Sequence, residues 1–122
     1  MKGPLAKVRV LAVENYLASP VASMTLADLG AEVVKIEPPQ GDMSRLTIGP
    51  NHKGESNHYL CWNRDKKGIV LDLKAPTGKE AFYDLVKVSD VVINNFRPGV
   101  MARLGAEGDC LRCSYLRSSS RV

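Results

Sequence analysis

The stretch Ser19–Pro39, SPVASMTLADLGAEVVKIEPP, reads as a helix running into a buried strand, and that order decides the fold. Ser19 is placed to cap a helix start, and Pro20 suits the first helical position because its missing N–H would be unpaired there anyway. Ala22, Leu26 and Leu29 then recur at i, i+4 and i+7, which predicts one apolar helix face. Gly30 ends the helix, as glycine does where the backbone turns left-handed. Ala31–Glu37 is rich in β-branched residues and reads as a strand. Pro38-Pro39 stops it, because proline cannot donate to a ladder.

Working outward, Val8–Val13 (VRVLAV) predicts a strand before the helix. Downstream, Gln40 to Asn57 is polar and glycine-bearing, a length of loop that usually has a function. His58–Asn63 is ambiguous between helix and strand, and Asn63–Gly68 reads as a charged turn in which Arg64, Lys66 and Lys67 face solvent. Ile69–Leu73 predicts a third strand. Thr77 and Glu80 have capping-box spacing ahead of a helix that buries Phe82, Leu85 and Val86. Asp90–Asn94 predicts a fourth strand, and Pro98 opens a short helix, Val100–Leu104, ended by Gly105. Strands alternating with helices imply parallel β-α-β units and an open α/β sheet.

Composition narrows the classes. The chain has 122 residues with 17 Lys+Arg against 13 Asp+Glu, a dispersed net charge of +4. A dispersed charge argues against nucleic acid, whose partners carry a clustered basic stripe, and is compatible with a small anionic ligand. No apolar run approaches the ~18 residues that would suggest a membrane span. The N-terminus has no signal-like apolar segment, and the three cysteines, an odd count, suit a reducing cytoplasmic setting better than a disulfide framework. Cys110 and Cys113 form half of a zinc pattern whose second pair is missing, so no metal is expected.

In open α/β sheets ligands bind beyond the carboxyl ends of the strands. The residues that follow the predicted strands there include Tyr16 and Leu17, Pro38, Lys74, and Asn95, Phe96 and Arg97. Lys74, Arg97 and Arg103 would give that edge a positive field, and Tyr16 and Phe96 flat apolar surfaces. A nucleotide-bearing anionic ligand fits this chemistry. The plainer readings are a solvated strand-end lysine, surface ion pairs for the arginines, a core phenylalanine, and turn-forming asparagines at Asn94 and Asn95. The first turn lacks Gly-x-Gly-x-x-Gly, which disfavours an ordinary NAD or FAD site, and neither a Gly-Lys-Ser/Thr phosphate loop nor a Gly-x-Ser-x-Gly elbow occurs.

Four ordered blocks carry a resemblance. They are Leu26–Pro39, then Gly41-Asp42-Met43-Ser44-Arg45, then Asn63–Lys67 continuing to Leu71–Lys74, and Asn95–Gly105 (NFRPGVMARLG). Over residues 5–105 the chain resembles the class III, CaiB/BaiF-like CoA-transferases. The resemblance implies a Rossmann-like parallel sheet with flanking helices, the N-terminal part of a larger domain, in a parent that is an interlocked homodimer. It implies transfer of CoA from an acyl-CoA donor to a carboxylic acid through a covalent aspartyl intermediate. It places CoA contacts on Leu71, Lys74, Asn95, Phe96 and Arg103, and an active-site wall on Tyr16 and Leu17. The catalytic aspartate of the family has no counterpart among Asp28, Asp42, Asp65, Asp72, Asp84 and Asp90, so the chain is expected to be inactive alone. Acyl-CoA racemase chemistry in the same family and a non-catalytic nucleotide-binding or interaction module are the alternatives. Residues 1–105 are expected to form the ordered part and 106–122 a divergent, disordered tail, the product of truncation or a shifted reading frame near Gly105.

Overall fold

A computed structural model of the chain describes residues 3–46, 49 and 51–106, together with the backbone of Ser114–Arg117. Five strands form one parallel sheet. β1 (Arg9–Val13) lies at its centre, with β2 (Glu32–Glu37) on one side and β6 (Val91–Asn94) on the other. β5 (Lys66–Val70) adds to the outer side of β2, and β7 (Ser114–Arg117) to the outer side of β6, giving the order β5-β2-β1-β6-β7. The register sets Val10 opposite Val33 and Val91, and Val13 opposite Ile36 and Asn94. A small antiparallel pair, β3 (Asn51–His52) and β4 (Glu55–Ser56), projects from the long polar stretch. The expected α/β open sheet is therefore the architecture found.

Alternation along β1 divides the core between the two faces of the sheet. Leu11 and Val13 point to one face with Ile36 and Val92, where α3 (Pro76–Lys87) covers them with Phe82 and Val86. Val10 and Ala12 point to the other with Val33 and Ile93, under Leu26 and Ala27 of α1 (Ala18–Asp28). The central strand is buried on both faces, which is why it reads as a continuous apolar run. Among the described residues no helix is long and apolar enough to cross a membrane.

Several local expectations are corrected. α1 begins at Ala18 with Leu17 as its N-cap and no side-chain cap. Ser19 lies inside the helix, because its hydroxyl donates to the buried carboxylate of Glu14 at 2.9 Å and so does not serve the free N–H groups. The buried face of α1 is Ser19, Pro20 and Ser23, while Ala22 and Leu29 are exposed. The capping box at Thr77 and Glu80 does not form. The cap is Ala75, and Pro76 takes the first helical position. The third strand starts earlier than expected, at Lys66, and Ile69 and Val70 are exposed because β5 flanks the sheet on its outer side. His58–Asn63 resolves as a helix, α2 (Asn57–Trp62). Ser114–Arg117, in the segment to which sequence reading assigns no element, runs parallel to β6. The expectation of disorder for the rest of 106–122 falls almost wholly outside the described residues, as do Cys110 and Cys113.

Gly30 and Gly78 are required by geometry. Gly30 ends α1 with φ +98°, and its Cα side faces Gly3 so closely that a Cβ would stand 2.9 Å from the Gly3 backbone. Gly78, in the first turn of α3, is buried against the Asp72 carbonyl, which a Cβ would meet at 2.0 Å. That contact seats the helix directly on the segment following β5. Alanine has the higher helix propensity by about 1 kcal/mol, yet overpacking costs typically 1–3 kcal/mol and here involves backbone. Gly78→Ala is accordingly expected to lower stability, read as a lower urea midpoint by circular dichroism. An unchanged or raised midpoint would show that the 72–78 turn yields freely.

Candidate functional site

A pocket of about 240 Å3 opens at the carboxyl edge of the sheet. β1 and its exit contribute Val13, Glu14 and Asn15, and β2 and its exit contribute Ile36, Pro38 and Gln40. The segment after β5 contributes Leu71–Lys74, and Phe96 and Leu104 complete the lining. This edge is where a parallel sheet presents strand exits to a ligand. The walls are mostly apolar, and Lys74 supplies a cationic group. The Lys74 N–H donates to Asp72 Oδ1 at 2.9 Å, which holds the tight turn from which the lysine projects. A mainly apolar pocket with a few polar groups at its rim is the usual form of a small-molecule site.

Of the residues singled out from sequence, Pro38, Leu71, Lys74 and Phe96 line this pocket. Phe96 also packs against the core cluster, so the core and ligand-facing readings both describe it. Asn95 stands beside the pocket and spends its amide on the backbone of Asn15. Tyr16 and Leu17 are exposed and follow directly on Asn15, without lining the pocket themselves. Arg103 and Arg97 are exposed and outside the lining. Among the described residues no group of three or more His, Cys, Asp or Glu side chains could hold a metal ion.

On the α1 side of the same strand exits lies a polar cluster that sequence reading missed. Glu14, Lys35, Asp42 and Lys66 have side chains no more than 2% exposed. Lys35 Nζ donates to Asp42 Oδ2 at 2.5 Å and to Asn63 Oδ1 at 2.8 Å, and stands 3.8 Å from Glu14. Lys66 Nζ donates to Glu14 Oε1 and to the Pro20 carbonyl, both at 2.8 Å. Ser19 and Ser23 donate to the same Glu14 carboxylate. Lys66 was expected to face solvent in a charged turn and does not. Its ammonium reaches inward to the Glu14 carboxylate, whereas Arg64 and Lys67 do sit on the surface, paired with Asp28 and Glu32. Burial pulls the Lys66 pKa down, while Glu14 works in the opposite direction. The signal available in sequence was Lys35 itself, a charge in the middle of a β-branched strand beside the apolar run Val10–Val13, where a buried ion must find partners.

A second network fastens the long polar stretch over the end of β2. Arg45 grips Glu37 with two N–H bonds, at 2.9 and 3.0 Å, donates to Glu55 at 3.0 Å, and lies over the Tyr59 ring, 3.7 Å from its centroid. Tyr59 donates its hydroxyl to Glu37. Burial pushes the Glu37 carboxyl up, but Arg45, Tyr59 and the Asp42 N–H together more than offset this and hold it below the ordinary value. Asp42 behaves alike: burial raises it, and Lys35, Ser44 and the Tyr16 backbone together lower it further.

With that geometry in place the comparisons with known proteins become specific. The chain belongs to CoA-transferase family III, whose family model matches residues 5–114. It is 42% identical over 103 residues to a human protein described as succinyl-CoA:glutarate CoA-transferase, covering 84% of this chain and 24% of that one. It is 43% identical over 105 residues to an acetyl-CoA:oxalate CoA-transferase of Acetobacter aceti, covering 85% of this chain and 27% of that one. Among solved structures, a CAIB/BAIF family protein from Brucella suis superposes with a TM-score of 0.86 at 33% identity, over 96% of this chain and 33% of that one. The chain thus spans about a quarter to a third of the relatives it matches.

The two carboxylates fix the sign of an acid dependence. Their folded pKa values lie below the ordinary values, so the stability they contribute is full above the unfolded pKa of about 4 and is lost as pH falls through the lower folded values. Urea midpoints are therefore expected to hold from pH 7 to about 5 and to fall below about pH 4. Lys35→Met, which strands Asp42 without its cation, is expected to cost about 3–5 kcal/mol. A flat profile to pH 3, or a Lys35→Met chain as stable as wild type, would show that these charges are solvated.

Proposed function

We propose that this chain is the CoA-binding portion of an enzyme that moves CoA from an acyl-CoA donor to a carboxylic acid acceptor. The observation that carries the reading is the pocket at the sheet's carboxyl edge, with Lys74 beside the apolar surfaces of Leu71 and Phe96, in a chain of this family. CoA joins phosphate groups and an aromatic base to a long, partly apolar arm. An ammonium group answers the first, and Phe96, Leu71, Leu73 and Leu104 offer surface to the rest.

In the proposed reaction an aspartate outside this chain attacks the donor thioester carbonyl, and the CoA thiolate leaves. The thiolate then attacks the aspartyl carbonyl of the resulting mixed anhydride. The donor acid departs and an enzyme thioester remains. The acceptor carboxylate attacks that thioester and releases the thiolate again, which takes the acceptor's acyl carbon and restores the aspartate. This chain's part is to hold and orient CoA while the thiolate is twice free. In the parent assembly, read as an interlocked homodimer, the remaining groups come from elsewhere.

Isothermal titration of CoA into the folded 122-residue chain tests the reading. Binding is expected, and Lys74→Ala is expected to weaken it about tenfold or more, the worth of a charge-assisted contact of about 1.5–3 kcal/mol. The chain alone is expected to give no transfer from succinyl-CoA to glutarate. A folded wild-type chain that takes up no CoA overturns the binding assignment, and turnover by the chain alone overturns the placing of the nucleophile.

A further inference from the structure

The turn that leaves β1 is held in a conformation that its residues do not favour. Tyr16 has φ 69°, in the left-handed region that bulky residues rarely occupy. Such a backbone persists only where its surroundings over-determine it, and it marks a hypothesis of function. Here the surroundings come from two distant parts of the chain. Asn95, beyond β6, accepts the Asn15 N–H at 3.0 Å and donates to the Asn15 carbonyl at 2.8 Å, so its amide satisfies both backbone groups of one residue. Asp42 accepts the Tyr16 N–H at 3.1 Å, and Asn15 Oδ1 accepts the Met43 N–H at 2.9 Å. Asp42 is fixed in turn by Lys35 and by the N–H and hydroxyl of Ser44. Core packing does not require this arrangement, since Tyr16 and Leu17 are 50% and 40% exposed. What the turn does fix is Asn15, at one end of the pocket.

We propose that Asn95 and Asp42 are positioning residues, which act on bound CoA through the Asn15–Leu17 turn and do not touch it themselves. This rests on the CoA reading above. It also reassigns Asn95, which the family resemblance makes a direct contact: each polar atom of its amide is engaged by Asn15. The clamp presets the turn, so that a ligand entering the pocket meets Asn15 and the exposed Tyr16 and Leu17 without having to order them. Preorganised contacts of this kind raise affinity by lowering the ordering cost of binding.

Amide hydrogen exchange on the 122-residue chain, followed by NMR without ligand and paired with CoA titration, separates the possibilities. In Asn95→Ala the Asn15 amide is expected to exchange at least tenfold faster, while Val10–Val13 stay protected and the CoA dissociation constant rises about tenfold. Asn95→Asp keeps the acceptor and loses the donor, so both effects are expected to be smaller; it carries the comparison if the alanine variant does not fold. Weaker CoA binding with unchanged exchange at Asn15 would make Asn95 a direct contact and overturn the proposal. Faster exchange with unchanged CoA affinity would overturn it too, because the turn would then not bear on the ligand. Should wild type bind no CoA, the CoA reading fails and the ligand half of the proposal with it, while the exchange rates still judge the clamp.

Discussion

The arrangement depends on two lysines that the fold takes out of water. Lys35 and Lys66 face Glu14 and Asp42 beneath the carboxyl edge of the sheet, two positive charges against two negative. Removing such ions from solvent costs several kcal/mol each and is offset only where geometry is good and the remaining donors and acceptors are met. That condition holds here. Asn63, Ser19, Ser23 and the Pro20 carbonyl take up the positions that the ion pairs leave, and no buried side-chain polar atom among the described residues lacks a partner. Because each ion is stranded without the others, the cluster fixes relative placement. Glu14 belongs to the exit of β1, Lys35 to β2, Lys66 to β5, and Asp42 to the stretch after β2. Their mutual requirement ties four segments together at the end of the sheet where the pocket opens.

The pocket's character follows from its apolar walls. Of the buried ion cluster only Glu14 reaches the lining, and its carboxylate is already taken up by Ser19, Ser23 and Lys66, so the walls decide what is held. Those walls are Leu71, Leu73, Phe96 and Leu104, with Lys74 at the rim. The Glu37–Arg45–Tyr59 network extends the same logic outward. It presses the long polar stretch onto the end of β2 and thereby sets Pro38 and Gln40 as one side of the opening.

Three of the strands and the parallel β-α-β arrangement were legible because the buried sheet demands apolar, β-branched runs, and Val8–Val13, Ala31–Glu37 and Asp90–Asn94 supply them. The strand-exit rule pointed to Pro38, Lys74 and Phe96, which line the pocket, while Leu71 came from the family resemblance. What escaped was everything decided by long-range polar partners. Ser19 has the form of a cap, but a carboxylate five residues earlier outcompetes the helix N–H groups for its hydroxyl. Lys66 sits among charges and looks solvated, yet its partner Glu14 is 52 residues away. β5 begins at that lysine for the same reason, three residues before its apolar run would suggest. Thr77 and Glu80 have the right spacing, but Pro76 already starts the helix and Gly78 locks it against Asp72. Local patterns cannot reveal such partners, since each is a pairing of segments that only the completed sheet brings together.

The strand order has a consequence for how the chain comes together during synthesis. β1 is central but is made first, and its two neighbours are made far apart in time. β2 arrives within a few tens of residues, and Asp42 follows it at once, so one half of the hold on Tyr16 can form early. The other half waits for Asn95, 80 residues beyond Asn15. At a synthesis rate of about 5–20 residues per second, that interval is on the order of several seconds. Throughout it, the β1 edge that will pair with Val91–Asn94 stays open, with an apolar run on offer to any other extended segment. The turn at the pocket thus reports on completion: its backbone is fully bonded only when the last strand beside β1 has docked.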